Sequence, residues 1–600
     1  MSLTLDEARA RAARLSDVSY AIDLDLTDPG QGTFGCRTTV RFASTWPTTF
    51  LELTDAADLT VTVNGEPVQP VYDGRRITLS DLADRNEVVV AARLPYVTDG
   101  DGMHTFTDPA DGETYVSAYV GMDVAQRVFA CFDQNDLKAP VDLSVTAPPE
   151  WTVLANGRAV VSEGGSWRFA TTPPIPTAMF VVCAGPWHSR TWEHAGLPFG
   201  WHARRSLAAE LDRDLDDLRR VTEACFDHYT QRLFEEPYAF DSFDQAFVPG
   251  QNWGALETPG CVTYRDEYLP RGRLTEMARI NRAATIAHEM AHMWFGDLVT
   301  MTWWEDTWLQ ESFADYMGYR VAADALGEPR ALLAGEIGRK PVAFDADTRR
   351  STHPIAPAPE EVPDVDAAAN NFDMISYAKG NAALRQLVTW LGDDTFLAGL
   401  NAYLGRHRLG NATLADFMAA LDAVSDRDVR DWAERWLRTT GFDTLRVTLD
   451  GDVPVLQREG TRPHRVRVTA YDDALGEVGR RFVALGAEPV RLEEWAGRVV
   501  VPNSHGETFA EVVLDERSWA TVVAGLASIE DPMVRAGLWT AAFCQVRSRV
   551  LLADDYLALV GRQLPAETEV SIVSAVVRRT HQVVVQRVPA SDGAAALAVL

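Results

Sequence analysis

A multidomain α+β protein is the fold class this sequence predicts, and three observations predict it. The chain has 600 residues, too many for one hydrophobic core and enough for about three to five domains. Its hydrophobic spacing changes three times: alternating to about residue 186, helical to about 440, alternating again to about 514, and helical after Asp531. Apolar residues make up 46% and charged residues 24%, the balance of a soluble globular chain and not of a disordered one. The expected divisions are an N-terminal antiparallel β domain (1–186), a mainly helical middle domain (187–440), a small β-sandwich (441–527) and a C-terminal α-helical segment (528–600).

The first residues, Met1 to Arg9, read as an amphipathic helical start with neither a basic n-region nor an apolar h-region. Tyr20 to Leu26 alternates strictly, and Leu59 to Val63 runs into Asn64-Gly65, a strong hairpin-turn signal. Helical spacing follows in Leu207 to Tyr229, Thr275 to Phe295 and Ala382 to Leu391. Between Ala343 and Asn371 lies a stretch carrying Pro354, Pro357, Pro359 and Pro363, too long for a simple connection. It predicts either a rim or lid near the chemistry or a tolerated surface insertion. Leu445 to Leu449 and Arg465 to Val468 restore alternation, and after Asp531 there is room for about three to five helices.

The formal charge is 56 − 86 = −30 and is spread along the chain, which argues against nucleic acid or an anionic membrane as a partner. Such a field favours cationic or N-terminally charged peptides, but acidity of this kind is more commonly a solubility device. Six cysteines, Cys36, Cys131, Cys183, Cys225, Cys261 and Cys544, are scattered without a CxxC pair and read as buried thiols of a reducing compartment. No run is long and apolar enough to span a bilayer. A cytoplasmic protein without a membrane partner is expected, with a monomer as the favoured state.

The chemistry is concentrated in His288-Glu289-Met290-Ala291-His292, with a further acid at Glu311. Residues four apart share a helix face, so the two imidazoles can hold one zinc ion while Glu289 points at a water on it. The flanks, Thr285-Ile286-Ala287 and Met293-Trp294-Phe295, are apolar almost all round. Two histidines and a glutamate in such a buried helix are costly to desolvate unless partnered. One reading makes His288 and His292 satisfied core histidines with Glu289 in an ion pair; a single Zn2+ explains all four residues together. Two imidazoles and one carboxylate leave a fourth position open, as a catalytic site requires. Glu289 is then the general base of a metallohydrolase.

The extended run from His288 to Thr300, with Trp303-Trp304 and Glu311, resembles the aminopeptidase N family of zinc peptidases, the gluzincins. Gly254-Ala255-Leu256-Glu257-Thr258 is close to that family's Gly-Ala-Met-Glu-Asn exopeptidase motif, and Phe372 to Gly380 resembles the segment with its catalytic tyrosine. The resemblance implies a thermolysin-like α/β catalytic domain over 187–440 and peptide substrates. It also implies zinc ligands His288, His292 and Glu311, Glu289 as base and Tyr377 as oxyanion donor. Gly254, Ala255 and Glu257 are implied to bind substrate, with Glu257 holding its free α-amino group.

The chain departs from the family pattern in specific places. A second amine-binding carboxylate is expected in a Gln-x-Glu segment before Arg127 to Gln134, but those positions hold Tyr119 and Gly121. Leu256 replaces Met and Thr258 replaces Asn. The helical region after Asp531 is shorter than in full-length relatives, which predicts a more open cleft. Two alternatives to a strict aminopeptidase follow: an endopeptidase or leader-trimming peptidase for one dedicated peptide, and a zinc-containing peptide-binding scaffold without turnover.

Overall fold

The computed structural model describes residues 2–589 and 591–598. It opens with the helix Leu5–Ala12, whose N-cap Thr4 and Glu7 satisfy each other's backbone donors in a capping box. The strands Leu15–Asp25, Thr33–Ser44 and Arg85–Pro95 are neighbours in an eight-stranded sheet. Their alternation turns Tyr20, Ile22 and Leu24 into the core. Pairing is antiparallel except that Leu15–Asp25 also runs parallel to Val141–Thr146. Asn64 and Gly65 both take positive φ, 51° and 86°, and close the hairpin expected there.

A four-stranded sheet brings the N-terminal region to the cleft. Its edge hairpin pairs Gly102–Thr107 with Thr114–Tyr119, so Tyr119 lies opposite Gly102. Of the next 80 or so residues, Ala208–His228 is the helix read there, whereas the segments around it differ from the helical period. They form a five-stranded sheet in the order His188–His194, Leu197–Ala203, Phe243–Val248, Cys261–Arg265, Ala255–Leu256. Its inner strands pair in parallel and are buried on both faces, so they carry no clean alternation for a sequence pattern to reveal. Helices Ala208–His228, Glu276–Ala291, Trp308–Leu326 and Gly380–Leu391 pack against and beyond this sheet. One continuous core joins the N-terminal strands to this region, and Phe509 and Cys544 from later in the chain pack into it.

The strands after residue 440 form a four-stranded and a three-stranded sheet, the sandwich that their alternation predicts. They share a second core with the helices Pro532–Ser548, Ala553–Gln563 and Val570–Arg587. No helix is long and apolar enough to cross a membrane among the described residues. All six cysteines are buried free thiols.

Candidate active site

The helix Glu276–Ala291 starts at Thr275, whose side chain caps Ala278 N at 3.2 Å, and ends at His292 as its C-cap. This places His288 and His292 one turn apart with their Nε2 atoms 3.2 Å from each other. Glu311 comes from the first turn of Trp308–Leu326, where the helix dipole favours a carboxylate. Its Oε2 lies 3.6 Å from His288 Nε2 and 3.5 Å from His292 Nε2. Two ligands each about 2.1 Å from one tetrahedral ion lie about 3.4 Å apart, so this triangle fits zinc. His292 Nδ1 donates to the Phe295 carbonyl at 2.9 Å, which fixes the tautomer and leaves Nε2 for the metal.

Two glycines let the pieces come this close. A Cβ at Gly318 would sit 3.0 Å from His288 Cβ and 2.9 Å from the Ala284 carbonyl, so a side chain there would push the Glu311 helix off the motif helix. At Gly380 a Cβ would collide with Ser312 Oγ, and Ser312 Oγ instead donates to the Ser376 carbonyl at 2.5 Å. That bond ties the Tyr377 segment to the helix bearing Glu311.

Tyr377 sits in a π-helical turn, Ile375–Lys379, which runs into Gly380–Leu391. Its ring is nearly parallel to that of His288, with centroids 6.3 Å apart, and Arg339 lies 5.8 Å from its centroid. Asp315 holds Arg339 at 2.9 Å. At the end of the same turn, Lys379 is buried against Asp347 at 2.9 Å and anchors the segment. Burial and the negative charges of Glu311 and Glu257 push the Tyr377 phenol up, so its proton is retained for donation.

The electrostatics divide the acids into two roles. Burial opposes ionisation of Glu311, but His292 and His288 outweigh it and hold the carboxyl well below the usual range, as a ligand requires. Burial drives Glu289 up, aided by Glu257 and Glu311 and opposed by His292. Burial disfavours the His292 imidazolium, yet Glu257 and Glu311 outweigh it and raise the group. A divalent cation among these carboxylates would displace that proton.

Glu257 follows the short strand Ala255–Leu256, and its Oε1 is 3.8 Å from His292 Nδ1. That strand is the edge of the five-stranded sheet, paired on one side only, through Ala255 with Tyr264 and Leu256 with Thr263. Its other side faces a cleft of about 840 Å³ lined by Gly254, Ala255, Leu256, Glu257, His288 and Tyr377 among others. Thr258, in place of the motif's Asn, is fully buried and closes the turn through Oγ1 to the Cys261 carbonyl at 2.6 Å.

Every site residue expected from the sequence thus borders this one cleft. Tyr119 and Gly121 border it too, and no carboxylate stands at either position. Ala369 and Phe372, at the end of the proline-rich stretch, form part of the rim. Ser571, Ser574 and Arg578 of Val570–Arg587 form a wall on the C-terminal side. Arg339, Asp315 and Asp101 were not singled out from the sequence, because no local pattern marks a residue that reaches the site from a distant element.

The description "Peptidase family M1 domain" matches residues 220–436, and "ERAP1-like C-terminal domain" matches residues 499–596. Over 616 residues the chain is 38% identical to an Aminopeptidase N of Streptomyces lividans, an alignment covering 96% of this chain and 71% of that protein. The chain belongs to peptidase family M1. This M1 peptidase is also 27% identical to the Tricorn protease-interacting factor F2 of Thermoplasma acidophilum, across 90% of this chain and 67% of that protein. An Aminopeptidase N of Lactococcus lactis is 34% identical to it, across 56% of this chain and 40% of that protein. Metallopeptidase chemistry is the family's, and in this M1 member His288 and His292 on the motif helix and Glu311 on Trp308–Leu326 are grouped closely enough to hold a metal ion.

Proposed function

We propose that this chain removes residues from the free amino terminus of peptides, with one zinc ion held by His288, His292 and Glu311. The observation that carries the reading is the placement of Glu257 beside a strand edge that no other strand pairs, 3.8 Å from His292. An ammonium group held at Glu257 sets the first peptide bond, and not an internal one, against the donor triangle. The free edge of Ala255–Leu256 can pair with the substrate backbone as an added strand and so fix its direction.

When bound, zinc acidifies a water molecule and polarises the scissile carbonyl. Glu289, whose carboxylate lies within 4.8 Å of a His292 nitrogen, takes the proton of the attacking water and passes it to the departing amine nitrogen. Tyr377 donates its phenolic proton in a hydrogen bond to the carbonyl oxygen as negative charge builds there. Gly254 and Ala255 align the chain.

The M1 match and the relatives named above give no support to an endopeptidase for one dedicated peptide. A scaffold without turnover is disfavoured by the presence of the base, the tyrosine and all three ligands in one cleft. A cytoplasmic location and a monomeric state belong to the proposal, the first supported by the six unpaired thiols.

Chelation is expected to abolish hydrolysis of leucine p-nitroanilide, and about one equivalent of zinc per chain to restore it. Atomic absorption alongside the activity assay measures both. Full activity in metal-free protein would overturn the proposal.

A further inference from the structure

The aminopeptidase reading leaves an energetic gap at the amine end of the cleft. A substrate ammonium brings three N–H donors, and Glu257 alone cannot accept all of them. A donor left unmet in a buried site carries the full desolvation penalty.

The structure shows what occupies the place of the absent carboxylate at Gly121. A Cβ there would lie 3.0 Å from the Tyr119 hydroxyl, so the phenol fills the volume a longer side chain would use. Asp101 borders the same cleft as Tyr119 and Glu257, near enough for its charge to act on the Tyr119 phenol. Asp101 precedes Gly102, the partner of Tyr119 across the edge hairpin. Its Oδ1 accepts from Asn252 Nδ2 at 2.9 Å, and Asn252 also donates to the Asp99 carbonyl at 2.8 Å. Asn252 lies five residues before Glu257 on the loop that leads into the edge strand. The Asn252 side chain therefore ties Asp101 to the loop that carries Glu257. The nearby arginine, Arg127, pairs at 3.2 Å with Asp99, and among the described residues no cation neutralises Asp101.

We propose that Asp101 supplies the second negative group for the substrate's α-ammonium, with the Tyr119 hydroxyl as the accepting contact between Asp101 and Glu257. The inference rests on the aminopeptidase reading and goes beyond the motif, which places a carboxylate at 121. Burial, then the charges of Glu257 and Asp101, raise the Tyr119 phenol, so it stays protonated and turns its lone pairs to a cation.

The test compares wild type with Asp101→Asn and Asp101→Glu. The substrates are leucine p-nitroanilide, arginine p-nitroanilide, and one tetrapeptide with a free or an acetylated amino terminus. Asp101→Asn is expected to lose about tenfold in kcat/KM on both anilides and on the free peptide, mainly through KM. Zinc content and the slow rate on the acetylated peptide should not change, and Asp101→Glu should recover most of the loss. A change within about twofold on every free-amine substrate, or a loss confined to the arginine anilide, would overturn the assignment. Should Asp101→Asn fail to fold, Asn252→Ala, which releases the carboxylate but keeps its charge, is expected to give a smaller loss of the same kind. No loss in that variant would count equally against it. Equal cleavage of the free and acetylated peptide by wild type would overturn the aminopeptidase reading together with the assignment; discrimination in Asp101→Asn undiminished from wild type would overturn the assignment alone.

Discussion

Glu289→Gln is expected to bind zinc like the wild type and to lose about 10²- to 10⁴-fold in kcat. The substitution keeps the side chain's size and leaves the triangle of His288, His292 and Glu311 intact. It removes the one group placed to accept a proton from the attacking water. Zinc content by atomic absorption, set beside single-turnover rates, separates these effects. Near-normal turnover in that variant would show that another group is the base.

Tyr377→Phe is expected to lower kcat by about 100- to 1000-fold with little change in KM, the loss from removing one oxyanion donor. The ring is held independently of its hydroxyl, between His288 at 6.3 Å and Arg339 at 5.8 Å. Its segment is pinned by Ser312, Gly380 and the Lys379–Asp347 pair. The phenylalanine should therefore sit where the tyrosine sat, and the loss should report the hydrogen bond alone. An unchanged kcat would return Tyr377 to a packing role.

What the sequence made legible follows from which interactions are local. His288 and His292 could be read because a helix puts residues four apart on one face, whatever packs around it. The strand Leu15–Asp25 and the Asn64-Gly65 turn could be read for the same reason: one buried face, and a turn needing two positive φ values. Phe243–Val248 and Cys261–Arg265 could not, since burial on both faces erases alternation. Tyr377 was legible only through resemblance to a family motif, because a lone tyrosine carries no local pattern that sets it apart from a half-buried packing aromatic. Gly318 and Gly380 matter only for what packs against them, Ala284 with His288 and Ser312 respectively. Asp101 and Arg339 depend on a hairpin and a helix arriving at the cleft from distant stretches of chain. The absence of a carboxylate at 121 was visible in the sequence, whereas the phenol beside it and the neighbouring aspartate needed the fold.

The central claim is that cleavage is directed by a free amino terminus held at Glu257. Mass spectrometry of the products from a single peptide, supplied with a free and with an acetylated amino terminus, tests it most directly. The account predicts that the free peptide shortens one residue at a time from its amino end, while the acetylated peptide stays largely intact over the same period. Internal fragments from both peptides at similar rates would contradict it.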